Sequence, residues 1–468
     1  MNKVVPISSQ PVFSWMAVFR GTVVFRVLIL GVILSPQLAL AQLEEDLPSS
    51  LSGLTESQGA EVEDGGGLDL SDEILIRMLY RVAKVSQQNL ESFSSYSSDV
   101  TLRTAAEAPR DYRFWVFELR GIVSGIEKLA LPNADLDSLT SCYLVDLNST
   151  EGESFRLVAR EIPKSWSKQN SSGQPVECFG FYYGVFSSSQ DETTVPTFLA
   201  NRVQWRPTEE NASLGVGPAQ VLLASKGVDI GLLDFVRKQN TKSLGAADRD
   251  CFFQMLSASR NITQAEMPDG DLEFVNLMKN PTKHFSDNVV VEGRVRRCVP
   301  VQIDDPPTQE LVGLKSYYEL DMFIQLGDQK IVVKSGPDQS LEYRQRFPIT
   351  VCVAELPNGL GIDDVQDKIV SVRGFFYRFW KYQSEFTDKV EGQSGQVSPL
   401  IIGLAPEVVS PPAFVLDQFL MYSLLGMIVV VFALMWFFRS PKRVSIAGHS
   451  PTRDQLPDSV DFTGVDSD

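Results

Sequence analysis

Val176-Glu177-Cys178-Phe179-Gly180-Phe181-Tyr182-Tyr183 and Val370-Ser371-Val372-Arg373-Gly374-Phe375-Phe376-Tyr377 are two copies of one pattern, and their reading decides the fold. Each alternates apolar residues and then runs into Gly-Phe-aromatic, the period of a strand with one buried face. Working outward, Leu119-Arg120-Gly121-Ile122-Val123 is echoed by Val291-Glu292-Gly293-Arg294-Val295, and Glu73, Met78 and Leu79 by Asp250, Met255 and Leu256. Three matches in the same order along the chain argue for a duplicated helix-plus-β unit.

In each unit a long glycine-bearing strand is followed by two or three further strands, then the quoted stretch and a last apolar strand. Glycine lets such a strand bend sharply around a small core. The layout resembles an OB-fold-like five-stranded barrel over about 111–206 and 286–410. An immunoglobulin-like β-sandwich is the alternative, but it wants about seven strands and a Cys…Trp…Cys spacing that is absent. The expected class is therefore mainly β with α segments, an α+β chain of two OB-like barrels, each preceded by helical segments.

The expected organisation is a signal peptide over 1–41, an acidic leader over 42–70, a helix over 71–98 with Ser71 as N-cap, and a first β module over 99–206. A linker over 207–227 and a helical segment over 228–262 lead to the second β module over 286–410. Phe419 to Phe438, FLMYSLLGMIVVVFALMWFF, carries no charge, and about twenty such residues match the hydrocarbon core of a bilayer. A transmembrane helix over 414–438 is the expectation. Arg439, Lys442 and Arg443 follow it, which puts the tail 439–468 in the cytoplasm and the bulk of the chain outside. Lys3, Arg20 and Arg26 ahead of an apolar run, with Ala39-Leu40-Ala41 after it, read as a signal peptide cleaved before Gln42. With these ends the layout resembles that of bacterial envelope proteins with tandem OB-like modules and a C-terminal membrane anchor. The resemblance implies a single-pass, periplasmic binding or scaffold protein.

The balance of 42 Lys+Arg against 59 Asp+Glu, a net charge of −17, disfavours a phosphate backbone, so nucleic acid is excluded as a partner. Membrane lipid and an envelope protein or an anionic ligand are the partners expected instead. Histidine is confined to His284 and His449, which removes most triad and metal chemistry, and no motif implies a cofactor. Cys142 with Cys178, and Cys298 with Cys352, are candidates for disulfides or for buried thiols. One enzymatic constellation stands as the alternative. Ser165-Trp166-Ser167-Lys168, Ser286-Asp287-Asn288 and Lys334-Ser335-Gly336 follow the order of the motifs of penicillin-binding acyltransferases and hydrolases, with Ser165 as nucleophile and Lys168 beside it. Their setting argues against it, because Ser165 lies in a polar turn region with no apolar helix behind it.

The better candidate site lies in the second module. Alternation puts Arg294 and Arg296 of its first strand on one face and Phe376, Arg378, Trp380 and Tyr382 of its glycine-aromatic strand, which also carries Arg373 and Lys381, on one face of the partner; where those faces coincide they form a basic, aromatic patch. The competing expectation is that the aromatics fill the core while the cations lie on a solvated face.

Overall fold

The computed structural model describes residues 56–438, apart from 86, 133–138, 167–169, 188–192, 271, 335–339, 358–360, 383–395 and 410–417. The segments 1–41 and 439–468, expected as signal peptide and cytoplasmic tail, lie outside the described residues. The chain divides into two compact units, Met1–Glu407 and Val408–Asp468.

The first barrel is built from β1 (Val116–Ala130), β2 (Ser141–Asn148), β3 (Ser154–Glu161), β4 (Pro175–Ser187), β5 (Thr194–Arg202) and the short β6 (Gln204–Trp205). Its order is β1-β2-β3-β5-β4-β6, and β1 also pairs with β4 and so closes the sheet. The pairing of β3 with β5 is parallel and the others are antiparallel. In β1 the residues Leu119, Gly121 and Val123 are buried while Glu118, Arg120 and Ile122 are exposed, so one face makes the core.

The second barrel repeats this order with β7 (Asn288–Gln302), β8 (Ser316–Gln325), β11 (Arg346–Val353), β12 (Ile369–Tyr382) and β13 (Gln396–Gly403). It is closed by β12 with β13, and β11 runs parallel to β13. A two-stranded hairpin, β9 (Ile331–Lys334) with β10 (Ser340–Tyr343), is inserted between β8 and β11. The expected mainly β class with five-stranded barrels is corrected: the chain is mixed α/β with two six-stranded sheets, each gaining a further two-residue strand, and their strand order fits OB-like modules.

The helices repeat as well. Short α1 (Glu56–Glu61), then α2 (Glu73–Val82), α3 (Gln87–Ser94) and α4 (Leu102–Glu107) precede the first barrel. Between the barrels come α5 (Pro218–Ser225), α6 (Leu233–Lys238), α7 (Arg249–Arg260) and α8 (Phe274–Lys279). Leu75, Met78, Leu79 and Val82 bury one face of α2, and Phe252, Met255 and Leu256 do the same for α7. The N-cap of α2 is Asp72, whose side chain accepts from Ile74 N, and not the expected Ser71.

The duplication reaches single hydrogen bonds. Phe114 N donates to Tyr182 O at 2.7 Å, and Ser286 N to Phe376 O at 2.7 Å, each donor residue having a positive φ, 68° and 64°. Gly65 N donates to Val185 O and Thr241 N to Phe379 O, both at 2.8 Å. Residues 56–70, expected as part of a flexible leader, are therefore tied to the end of β4, and Val62 is buried in the core. The expected linker 207–227 contains α5, whose Ala219, Gln220 and Leu223 are buried.

The expected transmembrane helix is corrected: among the described residues no helix is long and apolar enough to cross a membrane. Helix α9 (Gln418–Phe438) occupies that region.

The expected disulfides are not formed either: all five cysteines are free and buried. Cys142 pairs with Leu129 and Cys178 with Leu119, at opposite ends of β1. Cys298 and Cys352 flank β8 opposite Leu320 and Glu319, two strand spacings or about 9.6 Å apart, beyond the reach of a disulfide. Burial pushes the Cys142 thiol up to about 11 and the Cys178 thiol up to about 12.

Candidate functional site

The basic, aromatic residues of the second barrel do not converge on one face. Bulges between Val295 and Arg297 and between Phe376 and Arg378 interrupt the alternation on which the patch depends. Arg294 lies opposite Ile369, at the far end of β12 from Arg378. Arg296 reaches Asp367 at 3.4 Å with both side chains exposed. Arg373 donates to the carbonyls of Gln264 and Pro268, both at 3.1 Å, and so pins the segment before α8. Phe376 is fully buried between Phe285 and Phe379. Trp380 stacks on Tyr382 with centroids 5.0 Å apart, and Lys381 N donates to Lys242 O. Burial raises the Tyr382 hydroxyl, with Asp321 adding to the effect.

Arg378 is the most deeply buried of these, at 0 % exposed. Its Nε donates to Asp248 Oδ2 at 2.7 Å, and its Nη1 and Nη2 donate to the carbonyls of Gln239, Lys242, Phe379 and Ser243. Tyr377 OH donates to Asp248 O at 2.8 Å. Asp248 is the N-cap residue of α7, so this network fastens α7 to the second barrel. The first barrel is held by a second buried carboxylate, Asp229, at 0 % exposed. Asp229 accepts from Trp205 N and Gly231 N at 2.9 Å and pairs with Arg202, while its own N–H donates to Gln254 on α7. Burial pulls the Arg202 guanidinium down to about 10. One helical layer therefore grips both barrels through carboxylates that sequence reading did not single out. The available signal was an aspartate just ahead of each helical turn, at Asp229 and Asp248.

Beside Asp229, a cleft of about 310 Å³ opens between the first barrel and α6. Tyr143 of β2, Arg160 at the end of β3, Lys164 after it, Arg202 of β5, and Asp234 and Lys238 of α6 line it. Asp234 accepts from Lys164 N at 2.8 Å and pairs with Arg237 at 3.0 Å. Lys238 Nζ sits 5.2 Å from the Phe235 ring. Glu161 also borders the cleft. Among the described residues, the side chains of Arg160, Lys164 and Lys238 take part in no ion pair.

The serine constellation is not assembled by described residues. Ser165 lies in a turn in which Trp166 N donates to Pro163 O and Asn170 Nδ2 to Ser165 O, and Lys168 is outside the described residues. Ser286 is buried, donates to Phe285 O and accepts from Gln220 Nε2 at 3.0 Å. Lys334 ends β9, and Ser335 and Gly336 are outside the described residues.

The strand order and closure of the two six-stranded sheets fit tandem OB-like modules. No protein-family model and no curated protein matches it. A solved structure to which it is similar is a deletion mutant of the single-stranded DNA-binding protein from Thermus aquaticus, with 9% identity over 64% of this chain and 94% of that chain, at a TM-score of 0.13. The expected partners are corrected on two counts. The expectation of no nucleic acid rested on net charge, whereas the matched structure is that of a DNA-binding protein; and the lipid and envelope partners were expected from a membrane span that no described helix provides. At a TM-score of 0.13 the likeness carries no argument for what this chain binds.

Proposed function

We propose that this chain is a binding or scaffold protein whose working part is the pair of barrels held as one body. The observation that carries this reading is the helical layer anchored at both ends, by Asp229 to Arg202 and Trp205 of the first barrel and by Asp248 to Arg378 of the second. A buried ion pair is weak evidence for stability, and its best-attested use is to fix one arrangement over others. Two barrels held at a set geometry suit recognition of an extended or two-part partner, for which affinity depends on simultaneous engagement. The Ala39-Leu40-Ala41 pattern after its apolar run supports an extracytoplasmic place for this body.

The test is cross-linking of the intact chain in its cells, with partners identified by mass spectrometry, in wild type and in Asp248→Asn. The expected result is a defined partner that is retained by wild type and lost or weakened at least tenfold when the second barrel is freed from α7. Equal capture of that partner by both forms, with the variant shown to be folded, overturns the reading.

A further inference from the structure

We propose that the cleft between the first barrel and α6 binds a phosphate group through Arg160, Lys164 and Lys238. The inference deepens the binding reading above and rests on it.

Three cations come to one cleft from separate elements, the end of β3, the turn after it and the last turn of α6. What sets these three apart from the other cations of a chain of net charge −17 is their convergence on one concave site. The other cations around the cleft are spent: Arg202 on buried Asp229, and Arg237 on Asp234. Asp234 is itself held by the backbone N–H of Lys164, which fixes the turn that carries the Lys164 side chain. A cleft of about 310 Å³ is at the lower end of small-ligand sites, about 300–1,000 Å³. It has room for a phosphate and a small substituent.

The chemistry selects phosphate over carboxylate. A single guanidinium satisfies a carboxylate with two parallel hydrogen bonds, whereas a phosphate offers three oxygens and up to two charges, and uses one forked and two point cations. Ser141 and Tyr143 of β2 line the same cleft. Glu161 at the rim disfavours an approach of the anion from its side, so the phosphate would lie toward Lys164 and Lys238. The phosphate can belong to a small molecule or to a nucleotide chain, and the chemistry of the cleft is the same for both.

The experiment uses the intact chain and pyrophosphate as the probe, by isothermal titration calorimetry at low and moderate salt. Wild type is expected to bind, and Arg160→Gln with Lys238→Gln is expected to weaken binding at least tenfold. Arg296→Gln, an exposed cation of the second barrel, is expected to leave it unchanged. Absence of binding by folded wild type, or equal weakening by Arg296→Gln, overturns the proposal. A fluorescent single-stranded oligonucleotide, followed by anisotropy, is the second arm. Competition between it and pyrophosphate, lost in the cleft variant, assigns the phosphate to a polynucleotide; pyrophosphate binding without competition assigns it to a small molecule. Equal partner capture by wild type and folded Asp248→Asn, with pyrophosphate binding intact, would remove the scaffold reading alone.

Discussion

The two barrels share a strand order, their bulges and their backbone hydrogen bonds, yet they solve the same local problem with different residues. At the end of the glycine-aromatic strand the first barrel has Gly184 and the second Arg378. In the first, Arg113 arrives from the loop before β1, donates to Tyr183 O at 2.7 Å and pairs with Asp64 at 2.5 Å. In the second, Arg378 projects from the strand itself and pairs with Asp248. The equivalent backbone donors are Val185 N, which donates to Asp64 Oδ1, and Phe379 N, which donates to Asn240 Oδ1. A guanidinium over the strand end is thus kept while its origin in the chain is exchanged. The cores differ in kind too. Phe117, Phe155, Tyr182 and Phe198 pack edge-on or tilted in the first barrel, with ring centroids 5.2–6.1 Å apart. By register their counterparts are Val289, Ile349, Phe376 and Ile401.

The comparison breaks most sharply at the guanidinium. Arg378→Ala leaves Asp248 buried without its ion-pair partner and removes one donor from each of four carbonyls, three of which keep a backbone N–H, so a loss of about 3–5 kcal/mol is expected. Arg113→Ala should lose less, about 2 kcal/mol, because Asp64 is 20% exposed and can be rehydrated. Chemical denaturation of each variant checks the order; equal losses would mean that the two networks are energetically the same despite their unlike burial.

A smaller difference lies in the glycines of the stretches that define the repeat. A Cβ on Gly374 would lie 2.4 Å from Ile402 O and 2.7 Å from Gly403 Cα, both backbone, whereas on Gly180 it would meet Leu119 Cδ1 and Phe198 Cβ at 2.9 Å. Side chains give way more easily than a paired strand. Gly374→Ala is therefore expected to cost about 2–3 kcal/mol and Gly180→Ala about 1–2 kcal/mol, read as a fall in melting temperature for each.

The repeat was legible because glycine and aromatics at fixed spacing are imposed by strand crowding, as Gly374 and Gly180 illustrate. The OB-like strand order was legible from the strand pattern, whereas the sixth strand of each sheet, only two residues long, is too short to show a period. The candidate patch was not legible correctly, because it assumed unbroken alternation, and bulges at Val295 and Phe376 leave no mark in composition. Nor could spacing show that Arg378 would be spent on Asp248, a residue 130 positions away in the chain. The cleft at Arg160 and Lys238 was hidden for the same reason. Its walls come from a barrel and from a helix of the next repeat, and pattern reading treats these separately.

The smallest effect separates the units at acid pH. Glu266 accepts from Lys226 Nζ at 2.7 Å and from Thr263 N at 2.7 Å, and these bonds pull its carboxyl down to about 2. Since its folded value lies below its unfolded one, the contribution is fully present above the ordinary glutamate range, near 4.3, and is lost as pH falls toward about 2. Glu266 precedes the second barrel, between its helices α7 and α8. Lys226→Ala is expected to move the Glu266 midpoint upward in a carbon-detected NMR titration and to leave amide exchange in the first barrel unaltered. An unmoved midpoint would assign the depression to the Thr263 bonds alone, and slower or faster exchange in both barrels would show that acid acts on the body as a whole.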